Sequence, residues 1–284
     1  MYWRTLLVAL LVVTAGCSAF SVSDEPTPTV TPAPIAEPTE TTETETSTLP
    51  PGVTADGDLD RERLARAHVD ASEGSTYRWF DHHDGRRHTD NATRQTVIDH
   101  RATVKNETRY AYWISRQRAT NGGSLNETTN VSEFGNAVAR YERYAFEDPV
   151  FLEHRQRNAS QRVGRKMATQ IAEYLAVENA TVTPVLLNGK RLYRITASEY
   201  ALETAWSVEE YSVTAIVTTE GLVRRIDASY TISRDDTRVV VDYRFEYTPV
   251  ESMTVERPDW VTGEWGPPRR LASDSMSSRY LLAR

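Results

Sequence analysis

Three consecutive segments near the C-terminus alternate apolar and polar residues with a period of two. Tyr211, Val213, Ala215 and Val217 form the first set, and Ile226, Ala228, Tyr230 and Ile232 the second. Val239, Val241, Tyr243, Phe245 and Tyr247 complete the series. Successive strand residues point to opposite faces, so each set lies on one face of a strand. The segments are separated by Glu220-Gly221 and Arg234-Asp235-Asp236, and a further pair, VTPVLL and KRLYRITASEY, is joined by Asn188-Gly189. Short turn sequences of this kind specify hairpins. The chain is therefore committed to an antiparallel sheet with one apolar face, and that face must be covered. The clearest candidate cover is a helix from Ser160 to about Glu178, whose Val163, Met167, Ala168, Ile171, Ala172 and Leu175 make an apolar stripe at helical spacing.

The earlier part of the chain continues the pattern. TYRWFDHH leads into a turn expected at Asp84-Gly85, and HTDNATRQTVIDH returns from it. TRYAYWIS reads as a strand, RQRATNGGSLNETTN as a long polar loop, and Gly135-Asn136 as the turn of another hairpin. Asp56, Asp58 and Asp60 alternate as calcium loops do, but the twelfth position is Ala67, where a bidentate Glu is required. Asp58 or Asp60 more simply caps a short helix to about Ser72, with Leu64, Ala67 and Ala71 on one face. The expected class is α+β: a strongly bent antiparallel sheet, an open half-barrel, covered by one long helix and a short N-terminal helix.

The front of the chain has a different character. Arg4 precedes the apolar run Leu6 to Cys17, LLVALLVVTAGC, which is too short to span a bilayer. A basic n-region, an apolar h-region and small residues before a cleavage point read as a secretory signal. Thr14-Ala15-Gly16-Cys17 resembles a lipobox, in which the Cys becomes the lipidated N-terminus. A plain signal peptide and an uncut membrane stub are the competing readings. Residues 21–51 are rich in Pro, Thr and Glu and too poor in apolar side chains to fold. The organisation expected is a signal at 1–16, a lipidated tether at 17–51, a folded domain at 52–260 and a tail at 261–284. Cys17 is the only cysteine, so no intramolecular disulfide can form. The net charge is −7, but Ser18 to Pro51 contains six acids and no base. The remainder is close to neutral and lacks the basic excess of a nucleic-acid binder.

Taken together, the lipobox, the acidic Thr/Pro tether, the entry PPGVTADG…LARAH, the meander, the long helix and the closing PDW resemble envelope lipoproteins of halophilic archaea. The order of elements is similar to the half-barrel lipoprotein carriers of the LolA/LolB and LppX/LprG type. That resemblance implies a bent sheet around helices and a cavity for acyl chains, and carries over no individual ligand-contacting residue.

Six Asn-X-Ser/Thr sequons are present, at Asn91, Asn106, Asn126, Asn130, Asn158 and Asn179. In an exported chain they are possible N-glycosylation sites, with Asn126 and Asn130 favoured by their polar context. His83 and His88, facing one another across an Asp84–Arg87 turn, form a weak metal candidate opposed by Arg86 and Arg87. No nucleophile elbow, zincin motif, phosphate loop or dinucleotide fingerprint occurs. No catalytic residue or cofactor is assigned. The function expected is that of a membrane-anchored, extracytoplasmic surface lipoprotein without enzymatic activity. Its role is structural, or the binding of a lipid or other hydrophobic envelope molecule. A metal-binding surface protein and an unfamiliar extracellular hydrolase are the alternatives. The expected partners are the membrane, through the lipid anchor, and a hydrophobic ligand; a monomer is expected. Cys17→Ser should release the protein to the medium or leave its signal uncut, as read by fractionation and intact mass. Normal cleavage with unchanged membrane retention would refute anchoring through this residue.

Overall fold

The computed structural model describes residues 48–145, 149–202, 207–261 and 269–270. The signal segment, Cys17 and nearly all of the tether lie outside the described residues, as does most of the tail. Helix α1 (Arg61–Ser72) begins where the Asp60 carboxylate accepts the Arg63 N–H. Strands β1 (Tyr77–Thr89), β2 (Ala92–Asn106) and β3 (Arg109–Thr120) follow, then β4 (Asn126–Gly135), β5 (Ala139–Tyr144) and β6 (Val150–Arg155). A π-helical turn, Ser160–Gly164, runs into α2 (Arg165–Tyr174). Next come β7 (Val177–Glu178), β8 (Thr181–Leu187), β9 (Lys190–Ala197) and β10 (Glu199–Tyr200). The last strands are β11 (Ser207–Thr218), β12 (Val223–Arg234), β13 (Thr237–Pro249) and the two-residue β14 (Arg269–Arg270).

Twelve strands form one sheet in the order β14-β6-β5-β4-β3-β2-β1-β13-β12-β11-β9-β8. Every pairing is antiparallel except β14 with β6. The sheet is open, with β8 and β14 at its edges. The central junction joins β1 to β13 over twelve pairs, from Tyr77↔Pro249 to His88↔Arg238. That junction brings the first long strand against the last.

The apolar stripes expected on β11, β12 and β13 meet those of β1–β3 and α2 in one core. Trp79, Tyr112, Val163, Met167, Ile171 and Phe245 are among its buried members. The helix covering this face is shorter than its sequence stripe. Helical structure spans 160–174, Leu175 turns away from it, and Val177–Glu178 is already a strand pairing with β10. Its start is fixed from outside, since Ser160 N–H and hydroxyl both donate to the Glu107 carboxylate. A negative group there complements the helix dipole.

Three further expectations are corrected. Asp84-Gly85 is not a turn: β1 runs through it, Asp84 accepts hydrogen bonds from Arg86 and Gln95, and Gly85 is outside the left-handed region. The chain reverses at Asp90-Asn91, between the paired Thr89 and Ala92. Most of the supposed polar loop is strand, because β3 continues to Thr120 and β4 starts at Asn126. Backbone pairing proceeds there although the side chains are polar, since the sheet extends past its apolar core. In α1 the buried face is Leu64, Ala65, His68 and Ser72 rather than the Ala67/Ala71 side. His68 tips the helix onto this face. Its Nδ1 accepts the Val223 N–H, its Nε2 lies 3.5 Å from Met167 Sδ, and Phe245 and Tyr247 meet it edge to face. Burial pushes its pKa down to about 3, so the ring stays neutral.

The hairpin turns of the last third, at Asn188-Gly189, Glu220-Gly221 and Asp235-Asp236, are where the sequence places them. Asn188 and Gly189 have φ of 52° and 73°, as a two-residue turn with both centres left-handed requires. Gly221 has φ of 91°, and a Cβ there would lie 2.7 Å from Ala67 Cβ and 3.2 Å from Pro51 Cδ. A Cβ on Gly189 would meet nothing within 4 Å. Gly189→Val should therefore cost about 1 kcal/mol through backbone strain alone, a drop of a few degrees in thermal midpoint. Gly221→Val should cost more, because it also displaces α1. Equal midpoints for the two variants would contradict this packing of α1 on the turn.

Candidate functional site

The face of the sheet that carries Trp79 is read most clearly in rows across β1, β2 and β3. Trp79, Ala102 and Tyr112 form one row, and Asp81, His100 and Ile114 the next. His83, Ile98 and Arg116 follow, then Gly85, Thr96 and Arg118, and finally Arg87 and Arg94. Exposure rises along this series. The first row is buried, Asp81 and His100 are buried beside half-buried Ile114, the His83 row is half-buried, and Arg87, Arg94 and Arg118 are exposed. On the neighbouring strands Tyr243, Ala228 and Val241, the last paired with buried Gly85, are buried, while Tyr230, Ile232 and Val239 are half-buried. The inner face thus has a half sealed beneath the helices and a half that continues past them.

A polar network lies in the sealed half. Glu133 on β4 and Glu142 on β5 stand directly opposite each other, with side-chain exposures of 0% and 2%. Two adjacent carboxylates would repel in a dry interior. Arg140 bonds both, and Arg162 from the π-helical turn reaches Glu133 at 2.8 Å. His154 lies 3.0 Å from Glu142, and the Tyr110 and Tyr144 hydroxyls donate to Glu133 and Glu142. Burial would raise the Glu142 pKa, but the His154 hydrogen bond and the charges of Arg140, His154 and Arg162 outweigh it and hold the pKa at about 2. Arg162 also stacks over the Tyr112 ring, with 5.2 Å to the centroid. The network therefore fastens the helix start to β3, β4 and β5.

Between the network and the open half lies a second buried pair, His100 Nδ1 and Asp81 Oδ1 at 2.6 Å. Trp79, His100 and Tyr112 lie nearly parallel, with centroids 6.0 to 6.1 Å apart. Asp81 Oδ2, Trp79 Nε1 and Tyr243 Oη are buried without hydrogen-bond partners. His100 makes no hydrogen bond to a hydroxyl among the described residues, so the pair lacks the nucleophile that a hydrolytic triad needs. These groups escaped the sequence reading because Asp81 and His100 meet only through strand register. The inward position of Glu133 in VSEFG was the available signal.

The residues singled out from sequence are dispersed. His83 and His88 share strand β1 and, five residues apart, point to opposite faces, so they cannot hold one metal ion. His88 Nδ1 instead lies 3.2 Å from Thr93 Oγ1 on the outer face. Asn126 opens β4 with its amide nitrogen on Ser124 O, and half-buried Asn130 accepts the Trp113 indole N–H; neither lies in a loop. Asn91 is in the β1–β2 turn, Asn158 precedes the π-helical turn, and Asn179 donates to Glu199. Asn106 Oδ1 accepts from Thr108 N–H, Thr108 Oγ1 and Arg109 N–H, which leaves its amide nitrogen facing outward from an exposed turn. An open surface depression of about 500 Å³ lies outside α1, lined by Pro51, Ala67 and Ala71 together with Arg63, Arg66 and Glu220 among others. It is not the apolar chamber implied by the carrier resemblance.

No protein-family model matches the chain, and no curated protein matches it. Among solved structures, it is similar to a DUF1329 family protein from Desulfovibrio piger ATCC 29098, at 9% identity and a TM-score of 0.26. It is also similar to an outer membrane lipoprotein-sorting protein domain from Vibrio parahaemolyticus, at 6% identity and a TM-score of 0.25. Each alignment covers 68% of this chain and 93% of the other. Likeness at these scores assigns neither fold nor function, so the chemistry must be read from the chain's own residues.

The network makes the fold acid-sensitive. A carboxylate held at about 2 in the folded state and near 4.5 when unfolded stabilises the fold fully above pH 4.5. That contribution is lost as pH falls from 4.5 toward 2. Thermal midpoints should therefore drop across this window, and Glu142→Gln, less stable at neutral pH, should show a shallower drop. Parallel profiles for the two proteins would mean that Glu142 does not carry this linkage.

Proposed function

We propose that this chain is an exported lipoprotein, anchored through Cys17 at the extracytoplasmic face of the cell membrane. Its folded body binds an amphiphile on the open half of the inner sheet face, as a monomer and without covalent chemistry. The carrying observation is the exposure gradient: the apolar side chains Ile98, Val239 and Ile232 lie on the same face as the core but past the end of its helical cover. Apolar groups left half-buried beside a packed core are where a hydrophobic ligand gains most from leaving water. The sealed half argues for the same placement, since Val163, Met167, Ile171 and Leu175 are fully buried there and fill the space themselves. In this reading the body is a half-barrel, with one end packed by its own helix and the other available. The Thr/Pro/Glu tether lifts it from the membrane, and glycans on exposed sequons would decorate its surface.

The test is mass spectrometry of lipid extracted from purified full-length protein, beside titration with a fluorescent acyl probe. Ile98→Asp and Val239→Asp should weaken the probe by tenfold or more while leaving the thermal midpoint nearly unchanged. Ile171→Asp should instead unfold the protein, because it buries an uncompensated carboxylate. Absence of any extracted lipid together with wild-type titrations for both rim variants would refute amphiphile binding.

A further inference from the structure

The open half of the inner face ends in arginines. Arg87 and Arg94 are directly paired across β1 and β2. Arg118 lies beside Thr96, one row nearer the core, and Arg116 beside Ile98. With strands about 4.8 Å apart and same-face residues about 7 Å apart along each strand, the Cα atoms of Arg87, Arg94 and Arg118 lie within about 12 Å of one another, and Arg116 lies one row deeper. Like charges directly opposite in a sheet are destabilising. Several arginines elsewhere on the sheet are balanced, although Arg101, over the Phe80 and Trp113 rings, and Arg224, on Tyr247 O, show no ion pair among the described residues. On the outer face Arg86 pairs with Asp84 and Asp242, Arg225 and Arg244 pair with Asp227, and Arg238 pairs with Glu210. On the sealed inner half Arg140 and Arg162 are matched to Glu133 and Glu142. Among the described residues, Arg87, Arg94 and Arg118 have no ion-pair partner, and no acid shares the inner face of β1, β2 or β3 beyond Asp81.

The arrangement is graded from apolar to basic. Ile114 and Ile98 lie nearer the core, with Val239 and Ile232 on the adjoining strands, and the arginines lie beyond them toward the strand ends. Guanidinium groups match phosphate oxygens in planar, bidentate geometry, and keep their charge at every physiological pH. We infer that the ligand of the open half is an anionic lipid, its acyl chain on the Ile98 surface and its phosphate held by Arg87, Arg94, Arg116 and Arg118. This rests on the amphiphile-binding reading and adds the headgroup class.

The test uses the full chain carrying Cys17→Ser, so that no attached lipid competes. A fluorescent short-chain phosphatidylglycerol, supplied as monomers, is compared with the matched phosphatidylcholine at low and high salt. The anionic probe should bind at least tenfold more tightly, and the difference should shrink as salt rises. Arg87→Gln with Arg94→Gln should remove most of that preference, at roughly tenfold per lost charged contact, with phosphatidylcholine, whose phosphodiester is offset by its own choline cation, losing less, and with a thermal midpoint no lower than the parent's. Equal binding of the two probes that Ile98→Asp still abolishes would overturn the headgroup assignment and leave amphiphile binding standing. Binding of neither probe would overturn both. Millimolar inorganic phosphate displacing the lipid completely would assign the arginines to a free anion, and binding only to phosphatidylglycerol vesicles would assign them to a membrane surface. Either result also overturns the proposal.

Discussion

The architecture follows from a mismatch of lengths. An α-helix rises about 1.5 Å per residue and a strand about 3.3 Å. The helical segment 160–174 is therefore about 22 Å long, whereas β2, with 15 residues, extends about 50 Å. Helix α1 is shorter still. The 160–174 segment crosses the strands, from Arg162 over Tyr112 of β3 to Tyr174 stacked on Tyr243 of β13, so along each strand it covers about one helix diameter, ~10 Å, and one half of the inner face becomes core while the other does not. The same register carries both halves, which is why the transition from buried Trp79 to exposed Arg87 occurs within a single strand.

Charge is handled differently on the two sides of that transition. Beneath the helix, an unmatched carboxylate or guanidinium would be costly, and each is met by a partner. Glu133 and Glu142 face one another only because Arg140, Arg162 and His154 are also there. Past the helix, water screens the arginines and their clustering is tolerable. The sealed network gives the fold its specific join between helix and sheet. The open cluster leaves a positive rim whose balance can come from a bound anion.

Acid affects the sealed half twice. His68 is neutral when folded, with a pKa of about 3 against 6.5 when unfolded, so the unfolded chain takes up a proton first. Stability contributed by this residue is full above pH 6.5 and is lost progressively down to pH 3. Glu142 acts over a lower window and in the same direction. Both groups lie where helices meet the sheet, so acid lowers the stability of the fold through that junction.

Several features were determined by the sequence alone. Period-two alternation in β11, β12 and β13 identified one apolar face, and Asn188-Gly189 and Glu220-Gly221 placed two hairpins, because local backbone preference suffices for tight turns. A cap at Asp58 or Asp60 and the Ile171/Leu175 stripe as core were legible for the same local reason, and the structure chose Asp60. The DG dipeptide misled because Asp84 finds partners on β1 and β2 and needs no turn, and RQRAT and NETTN, on either side of the true NGGSL loop, read as loop because polarity resembles loop composition even where ladder pairing continues. The apolar stripe overran the helix because Leu175 and Val177 remain buried after the backbone has left helical geometry. Only the tertiary structure decided that Asp81 meets His100, that Glu133 opposes Glu142, and that Arg87, Arg94, Arg116 and Arg118 share one face. These are contacts of cross-strand register, and register is set by the packing of the whole sheet rather than by any segment of it.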